Sequence, residues 1–324
     1  MHMVQAYAPG KAIIFGEHAV VYGHPAVAVA INTGVKVTAT LNSKWTVDDR
    51  QLNSSQHPHI KWLTENSSLN QPVRFRITSD LHPAAGQGSS AALSVASQIA
   101  IAKLSGLATD PVEVSKMAHM AEAAAQSGRA SPTDTATSSL GGCVVVAREL
   151  PKLATKVFDT HLETPEGKRS WTIGKMQVGE TDEGTPHLVL GYTGNPSHTG
   201  KMVAMVADRI TSDPLARENL DSIGEITSMG LLAIKSSAWD VVGMAMDACH
   251  QKLRALGLST PMLEELITAV RPHSLGSKLT GAGGGGCMMA LTNEPERVAQ
   301  TIEMHGGKAN VTPIISPGAV ILGL

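Results

Sequence analysis

Gly86-Gln87-Gly88-Ser89-Ser90-Ala91-Ala92 opens the Ala/Ser-rich run Leu93 to Ala102, and the reading of that junction decides the fold. The run has good helical propensity, so the stretch predicts a glycine-rich loop feeding a helix N-terminus. Glycines let a backbone approach an anion closely. The first helical turn offers unsatisfied N–H groups and the positive end of the dipole. Hydroxyls on Ser89 and Ser90 can hydrogen-bond phosphate or ligate a hard cation. The junction therefore reads either as a phosphate cradle or as a capped helix after a tight turn. It is not a P-loop, because no Gly-Lys-Ser/Thr follows, and it lacks the last glycine of a dinucleotide fingerprint.

The 324 residues are long for one core, so two domains are expected. With 42% hydrophobic and 17% charged residues, the composition is that of an ordinary globular protein rather than a disordered one. A formal net charge of −2 and the absence of basic runs argue against nucleic-acid or membrane partners. No apolar run approaches the ~20 residues of a membrane span, and Met1-His2-Met3 looks unlike a signal peptide. Cys143, Cys249 and Cys287 are too scattered for a disulfide framework or a cysteine metal site, so they read as buried thiols in a reducing cytoplasm. Aromatic residues make up only 3%, which leaves the core to Val, Ile, Leu, Ala and Met; Met202, Met205, Met244 and Met246 are read as core.

Short apolar or alternating runs predict strands at Ala12–Phe15, Ala26–Ile31, Val35–Leu41, Arg74–Thr78 and Gly141–Ala147. Helices are expected over Ser89–Leu104 and Pro111–Gln126. Phe158 to Pro186 reads as polar and irregular, with turns at Pro165-Glu166-Gly167 and Glu183-Gly184-Thr185-Pro186. A strand at Leu188–Tyr192 restarts regular structure, and the domains are placed at 1–186 and 187–324. Beyond it come helices near Lys201–Ile210, Pro214–Ser236, Trp239–Leu256, Pro261–Val270 and Glu294–His305. Strands are expected at Gly286–Leu291, Ala309–Ile315 and Gly318–Leu322. Helices and strands partly segregate, so the fold class is α+β.

Four segments carry the chemistry. They are Ala8-Pro9-Gly10-Lys11 with Gly16-Glu17-His18-Ala19-Val20-Val21-Tyr22-Gly23, the Gly86 loop, Ser131-Pro132-Thr133-Asp134, and Lys278-Leu279-Thr280-Gly281-Ala282-Gly283-Gly284-Gly285-Gly286-Cys287. Together, in this order, they resemble the GHMP small-molecule kinases over nearly the whole chain. Within that superfamily the opening segment is similar to the mevalonate kinase branch, and the Ser-Pro-Thr-Asp form to its archaeal members.

The resemblance implies a two-domain GHMP kinase fold with the active site between the domains. It implies phosphoryl transfer from ATP to mevalonate, at its 5-hydroxyl, on the route to isoprenoids. Asp134 and Lys11 would be catalytic, and Glu17, His18 and Thr199 would bind substrate. Ala85, Gly86, Gln87, Gly88, Ser89, Ser90 and Ala91 would hold ATP, while Ser90 and Glu122 would hold Mg²⁺. Such chemistry needs a triphosphate pocket, a bridging cation and an oriented hydroxyl. The same resemblance implies a homodimer. Other GHMP kinases, acting on phosphomevalonate or on another carbon of mevalonate, and a non-catalytic binding protein on the same scaffold, are the alternative readings.

Two departures stand out. The family's phosphate loop reads Pro-x-Gly-x-Gly-Leu-Gly-Ser-Ser-Ala-Ala, where this chain has His82-Pro83-Ala84-Ala85-Gly86-Gln87-Gly88. The spacing from Glu122 to Asp134 is also one residue longer than usual, with Gly128-Arg129 in the gap.

Overall fold

A long antiparallel ribbon, β1 (Met3–Phe15) with β2 (Ala26–Leu41), organises the first half of the chain. In the computed structural model, which describes residues 3–126, 128, 130–164, 167–179 and 184–323, β2 runs unbroken through the two strands expected there. Small and β-branched residues allow this, since Ala26 to Ile31 is buried throughout. The ladder slips between Pro9 and Lys11. Such an irregularity bends a strand and re-aims the side chain beside it, here Lys11.

Around the ribbon come β3 (Thr46–Val47), β4 (Arg50–Gln51), α1 (Pro58–Glu65), β5 (Val73–Ser79), α2 (Ser89–Leu104), α3 (Pro111–Ala125), α4 (Pro132–Leu140) and β6 (Cys143–Ala147). The first half closes with β7 (Thr155–Thr164) and β8 (Gly167–Met176). The large sheet has the order β4-β3-β5-β2-β6-β8-β7, with β1 pairing β2 off that path. Of the segment expected to be irregular, β7 and β8 in fact form an antiparallel hairpin at the sheet edge. The edge face is exposed, so its residues are mostly polar, and only Phe158, Leu162, Ile173 and Met176 are apolar and buried. Its turn residues Pro165 and Glu166 lie outside the described residues, as do Glu183, Arg129, Met1 and His2.

The second half runs β9 (His187–Tyr192), α5 (Thr199–Ser212), α6 (Pro214–Lys235), α7 (Trp239–Ala255), α8 (Pro261–Val270), β10 (Gly276–Thr280), β11 (Cys287–Thr292), α9 (Pro295–Met304), β12 (Lys308–Pro313) and β13 (Val320–Ile321). Four of these strands form an antiparallel sheet, β10-β11-β9-β12. Helices α7, α8 and α9 pack on it. The last strand leaves that sheet and pairs with β1 through Ala6↔Ile321 and Tyr7↔Val320.

One apolar core spans both sheets, built from Val, Ala, Ile and Leu around the fully buried Phe15 and Phe75. Fully burying one such large side chain contributes roughly 1.5–3 kcal/mol. Helix α2 packs against β1, β2, α3 and α4 and is buried along most of its length, which its Ala and Ser side chains permit by letting backbones come close. The cysteines Cys143, Cys249 and Cys287 are free and buried. Among the methionines read as core, Met246 is buried but Met244 is 69% exposed. No helix among the described residues is long and apolar enough to cross a membrane.

Candidate active site

The glycine loop does feed a helix. Gly88, with φ 73°, is the N-cap of α2, and Ser89 and Ser90 form its first turn. A Cβ at Gly88 would crowd Lys11 Cγ at 3.1 Å and touch Asp134 Oδ2 at 3.6 Å, and at its positive φ a side chain would be strained, which favours glycine here. The first turn of a helix has N–H groups without intrahelical partners, and Gly88 sets this turn beside Lys11 and Asp134.

Lys11 ties strand and loop together. Its backbone N–H donates to Gln87 O at 2.9 Å, and its Nζ donates to Gly86 O at 3.0 Å. The same Nζ lies 3.2 Å from Asp134 Oδ1, with Lys11 5% exposed and Asp134 35% exposed. Burial on the lysine side and an opening on the aspartate side leave the carboxylate available to a ligand.

Asp134 sits in the first turn of α4, a helix not expected from the sequence. Its Thr/Ser-rich body has modest helix propensity, which conceals it. Its start is nonetheless well marked: Ser131 Oγ accepts from Thr133 N–H at 3.2 Å, and Pro132 occupies the first helical position. An acidic side chain in the first turn is favoured by the helix dipole.

A second cluster lies at the same end of α2. Ser90 Oγ donates toward Glu122 Oε1 at 2.7 Å and Oε2 at 2.9 Å. Glu122, on α3, also accepts from Ser94 Oγ at 2.8 Å and Gln126 Nε2 at 2.9 Å. Glu122 thus lies against Ser90 despite the longer spacing to Asp134. From α1, His59 Nε2 reaches Ser90 Oγ at 2.9 Å and Glu122 Oε1 at 3.2 Å. Nothing in the sequence around His59 signalled this.

The Glu17-His18 pair is arranged differently from the expectation. Glu17 is not open to a ligand: its carboxylate is only 2% exposed and is ion-paired with Lys278 of β10. A buried charge needs a partner, and this pairing is the reason Glu17 faces inward. Burial pushes its carboxyl above the usual range, and the Lys278 ammonium opposes that. Lys278 is wholly buried and also donates to Leu279 O at 2.7 Å. Nothing in Gly276-Ser277-Lys278-Leu279-Thr280, a mostly polar run, signalled this burial. His18 is also buried, and its Nε2 lies 2.9 Å from Ala282 O. Desolvation lowers its pKa, so the ring is neutral and Nε2–H donates to that carbonyl.

The third glycine run backs the Gly86 loop. A Cβ at Gly286, with φ 75°, would lie 2.9 Å from Ala85 O. Ser197 bridges the same two segments, with N–H to Ala84 O at 2.7 Å and Oγ to Gly283 O at 2.6 Å. Thr193 Oγ1 donates to Gly286 O at 2.8 Å. Thr199, by contrast, is exposed at the start of α5 and takes part in none of these contacts.

Ala84, where the family pattern has glycine, holds φ 51°. The left-handed region costs a non-glycine residue roughly 1–2 kcal/mol, and glycine returns part of that as unfolded-chain entropy. Ala84→Gly should therefore stabilise the protein by about 0.5–1 kcal/mol, read as a raised denaturant midpoint. An unchanged or lowered midpoint would show that the loop bears no strain there.

Burial also lowers the pKa of His119 and His250. Groups held neutral in the fold take up protons more readily when unfolded. The stability that His18, His119 and His250 contribute is thus present above the ordinary histidine value of 6.5 and lost as pH falls below it. Glu17, shifted upward, has the opposite sign. Urea midpoints at pH 7.5 and pH 5.5 should differ, the lower pH being less stable; equal midpoints would contradict this account.

Comparison with known proteins gives a consistent picture. Residues 59–142 match the GHMP kinases N terminal domain model, and residues 231–308 match the GHMP kinases C terminal model. The mevalonate kinase of Pyrococcus furiosus is 32% identical, covering 98% of this chain and 98% of its own. That of Methanothermobacter thermautotrophicus is 33% identical over 88% of this chain and 89% of its own. The fold matches the crystal structure of L. major mevalonate kinase in complex with R-mevalonate, with a TM-score of 0.74 at 23% identity, covering 94% of this chain and 91% of that one.

Proposed function

This chain belongs to the GHMP kinases, and on that premise we propose that it transfers the γ-phosphoryl group of ATP to the 5-hydroxyl of (R)-mevalonate, a step toward isoprenoids. The observation that carries the reading is the Lys11–Asp134 pair, 3.2 Å apart, beside the glycine-capped N-terminus of α2.

The N–H groups from Ala85 to Ala91 receive the ATP phosphates, where the helix dipole and the missing side chain at Gly88 favour an anion. Asp134 accepts the proton of the substrate hydroxyl, or orients that hydroxyl for attack. Lys11 stays between the loop carbonyl of Gly86 and Asp134, and its charge stabilises negative charge building on the transferring group. Ser90 and Glu122 present a hydroxyl and a carboxylate side by side, a donor pair that suits a hard divalent ion such as Mg²⁺. When bound there, the ion would neutralise phosphate charge. His18, neutral and held by Ala282 O, offers its other ring nitrogen to substrate. Glu17 acts from beneath, through Lys278 and the backbone leading into His18.

In this reading residues 1–186 supply the phosphate loop and Asp134, and residues 187–324 supply the glycine run behind it. The exposed apolar side chains Met229 and Leu232 of α6 and Val241 and Met244 of α7 are what a second copy would cover in a cytoplasmic homodimer.

A substrate panel with product identification by phosphorus NMR tests the function. Mevalonate should be converted to its 5-phosphate, with phosphomevalonate, homoserine and galactose inert. Phosphomevalonate already carries phosphate at the reacting position, so comparable turnover of it would overturn the assignment.

A further inference from the structure

Three polar atoms from three different helices meet at the N-terminus of α2. They are Ser90 Oγ, Glu122 Oε1 and His59 Nε2, separated by 2.7 Å, 2.9 Å and 3.2 Å. These edges form a nearly regular triangle. Neighbouring donors on an octahedral ion with ~2.1 Å bonds lie about 3 Å apart, so a triangle of this size caps one face of such an ion. The other contacts of the cluster hold the carboxylate in place without using up that face. Ser94 Oγ donates to Oε1 and Gln126 Nε2 to Oε2. The side chain of His59 is 17% exposed and that of Glu122 7%, so the ring covers the carboxylate at the rim rather than lying deep in the core.

We infer that His59 is the third donor of the divalent-cation site formed by Ser90 and Glu122, which makes the site a mixed nitrogen–oxygen one. The inference rests on the phosphoryl-transfer reading, since that reading calls for a cation at Ser90 and Glu122. Coordination requires the neutral ring with its proton on Nδ1, leaving the Nε2 lone pair toward the ion, and the Ser90 hydroxyl turns its proton away from Glu122 and binds through oxygen. An imidazole donor suits first-row transition ions, whereas Mg²⁺ prefers all-oxygen surroundings. The site should therefore hold Mn²⁺ or Co²⁺ through His59 and should favour them over Mg²⁺ more strongly than Ser90 and Glu122 alone would.

The test is electron spin-echo envelope modulation of the full-length protein loaded with Mn²⁺ and ADP. Protein grown with ¹⁵N-histidine is compared with unlabelled protein, so that adenine nitrogen is not mistaken for imidazole. The labelled protein should show ¹⁵N coupling to Mn²⁺. His59→Gln should lose that coupling while still binding Mn²⁺, and its preference for Mn²⁺ over Mg²⁺ in competition titrations should fall. Failure to bind Mn²⁺, absence of histidine coupling in the unsubstituted protein, or coupling that persists in His59→Gln would each overturn the inference. The unsubstituted protein needs no altered residue, so a folding failure of the variant does not blunt the test. Phosphorylation of mevalonate without histidine coupling removes only His59 from the site; histidine coupling without phosphorylation of mevalonate removes only the substrate reading.

Discussion

Replacing Asp134 by asparagine should lower kcat by about 10²–10⁴-fold, the range that general acid–base catalysis contributes, with ATP binding almost unchanged. Asparagine keeps the shape of the side chain and can still meet Lys11 Nζ through its carbonyl oxygen, but it cannot take a proton as a carboxylate does. The Gly86 loop, proposed to receive ATP, is held by Lys11 and the glycine run, not by Asp134, so nucleotide affinity measured by titration calorimetry should stay near its original value. Lys11→Met should also lower kcat, and it should weaken ATP binding too, because Nζ donates to Gly86 O. The two substitutions combined should cost less than the sum of each, since the pair acts as a unit. Near-normal turnover by a folded Asp134→Asn protein would remove Asp134 from the mechanism.

The second large effect concerns stability. Lys278→Met leaves Glu17 charged, buried and unpaired, and breaking such a pair from one side costs about 3–5 kcal/mol. Replacing both partners by methionine should recover most of that loss, because the desolvation cost of both charges disappears with them. The single variant should also carry a pH signature. Loss of the Lys278 ammonium, which opposes the upward shift, raises the Glu17 carboxyl further, so the cost of the unpaired charge is absent below the ordinary 4.5 and grows as pH rises toward the folded pKa. The deficit of Lys278→Met relative to the unsubstituted protein should therefore shrink on acidification. Denaturant melts of the unsubstituted protein, the single variant and the double variant at two pH values decide the matter. A double variant no more stable than the single one would show that the pair's value lies in packing or geometry rather than in charge compensation.

Much of this protein was legible in its residues. The helix over Ser89–Leu104 and the helix over Pro261–Val270 follow from local signals, a glycine stop and a proline start, that act within a few residues of where they occur. The resemblance of the ordered motifs singled out Lys11, Ser90, Glu122 and Asp134, and the structure sets Lys11 beside Asp134 and Ser90 beside Glu122. What stayed hidden was of two kinds. Elements whose residues lack strong propensity, such as α4 and the β7–β8 hairpin, form because the sheet and its neighbours hold them. Backbone preferences of a few tenths of a kcal/mol per residue are overridden by packing of that sort.

The other kind is the partnership between residues far apart in the chain. Sequence alone determined the fold class, the order of the motifs and the chemistry their side chains can perform. Only the tertiary structure decided that Glu17 belongs to Lys278, 261 positions away, and that His59 joins Ser90 and Glu122. The physical reason is that charge pairing and donor geometry act over a few ångströms in space. A chain that turns back on itself through two sheets sets those distances by the packing of its core, and no local pattern of residues records them.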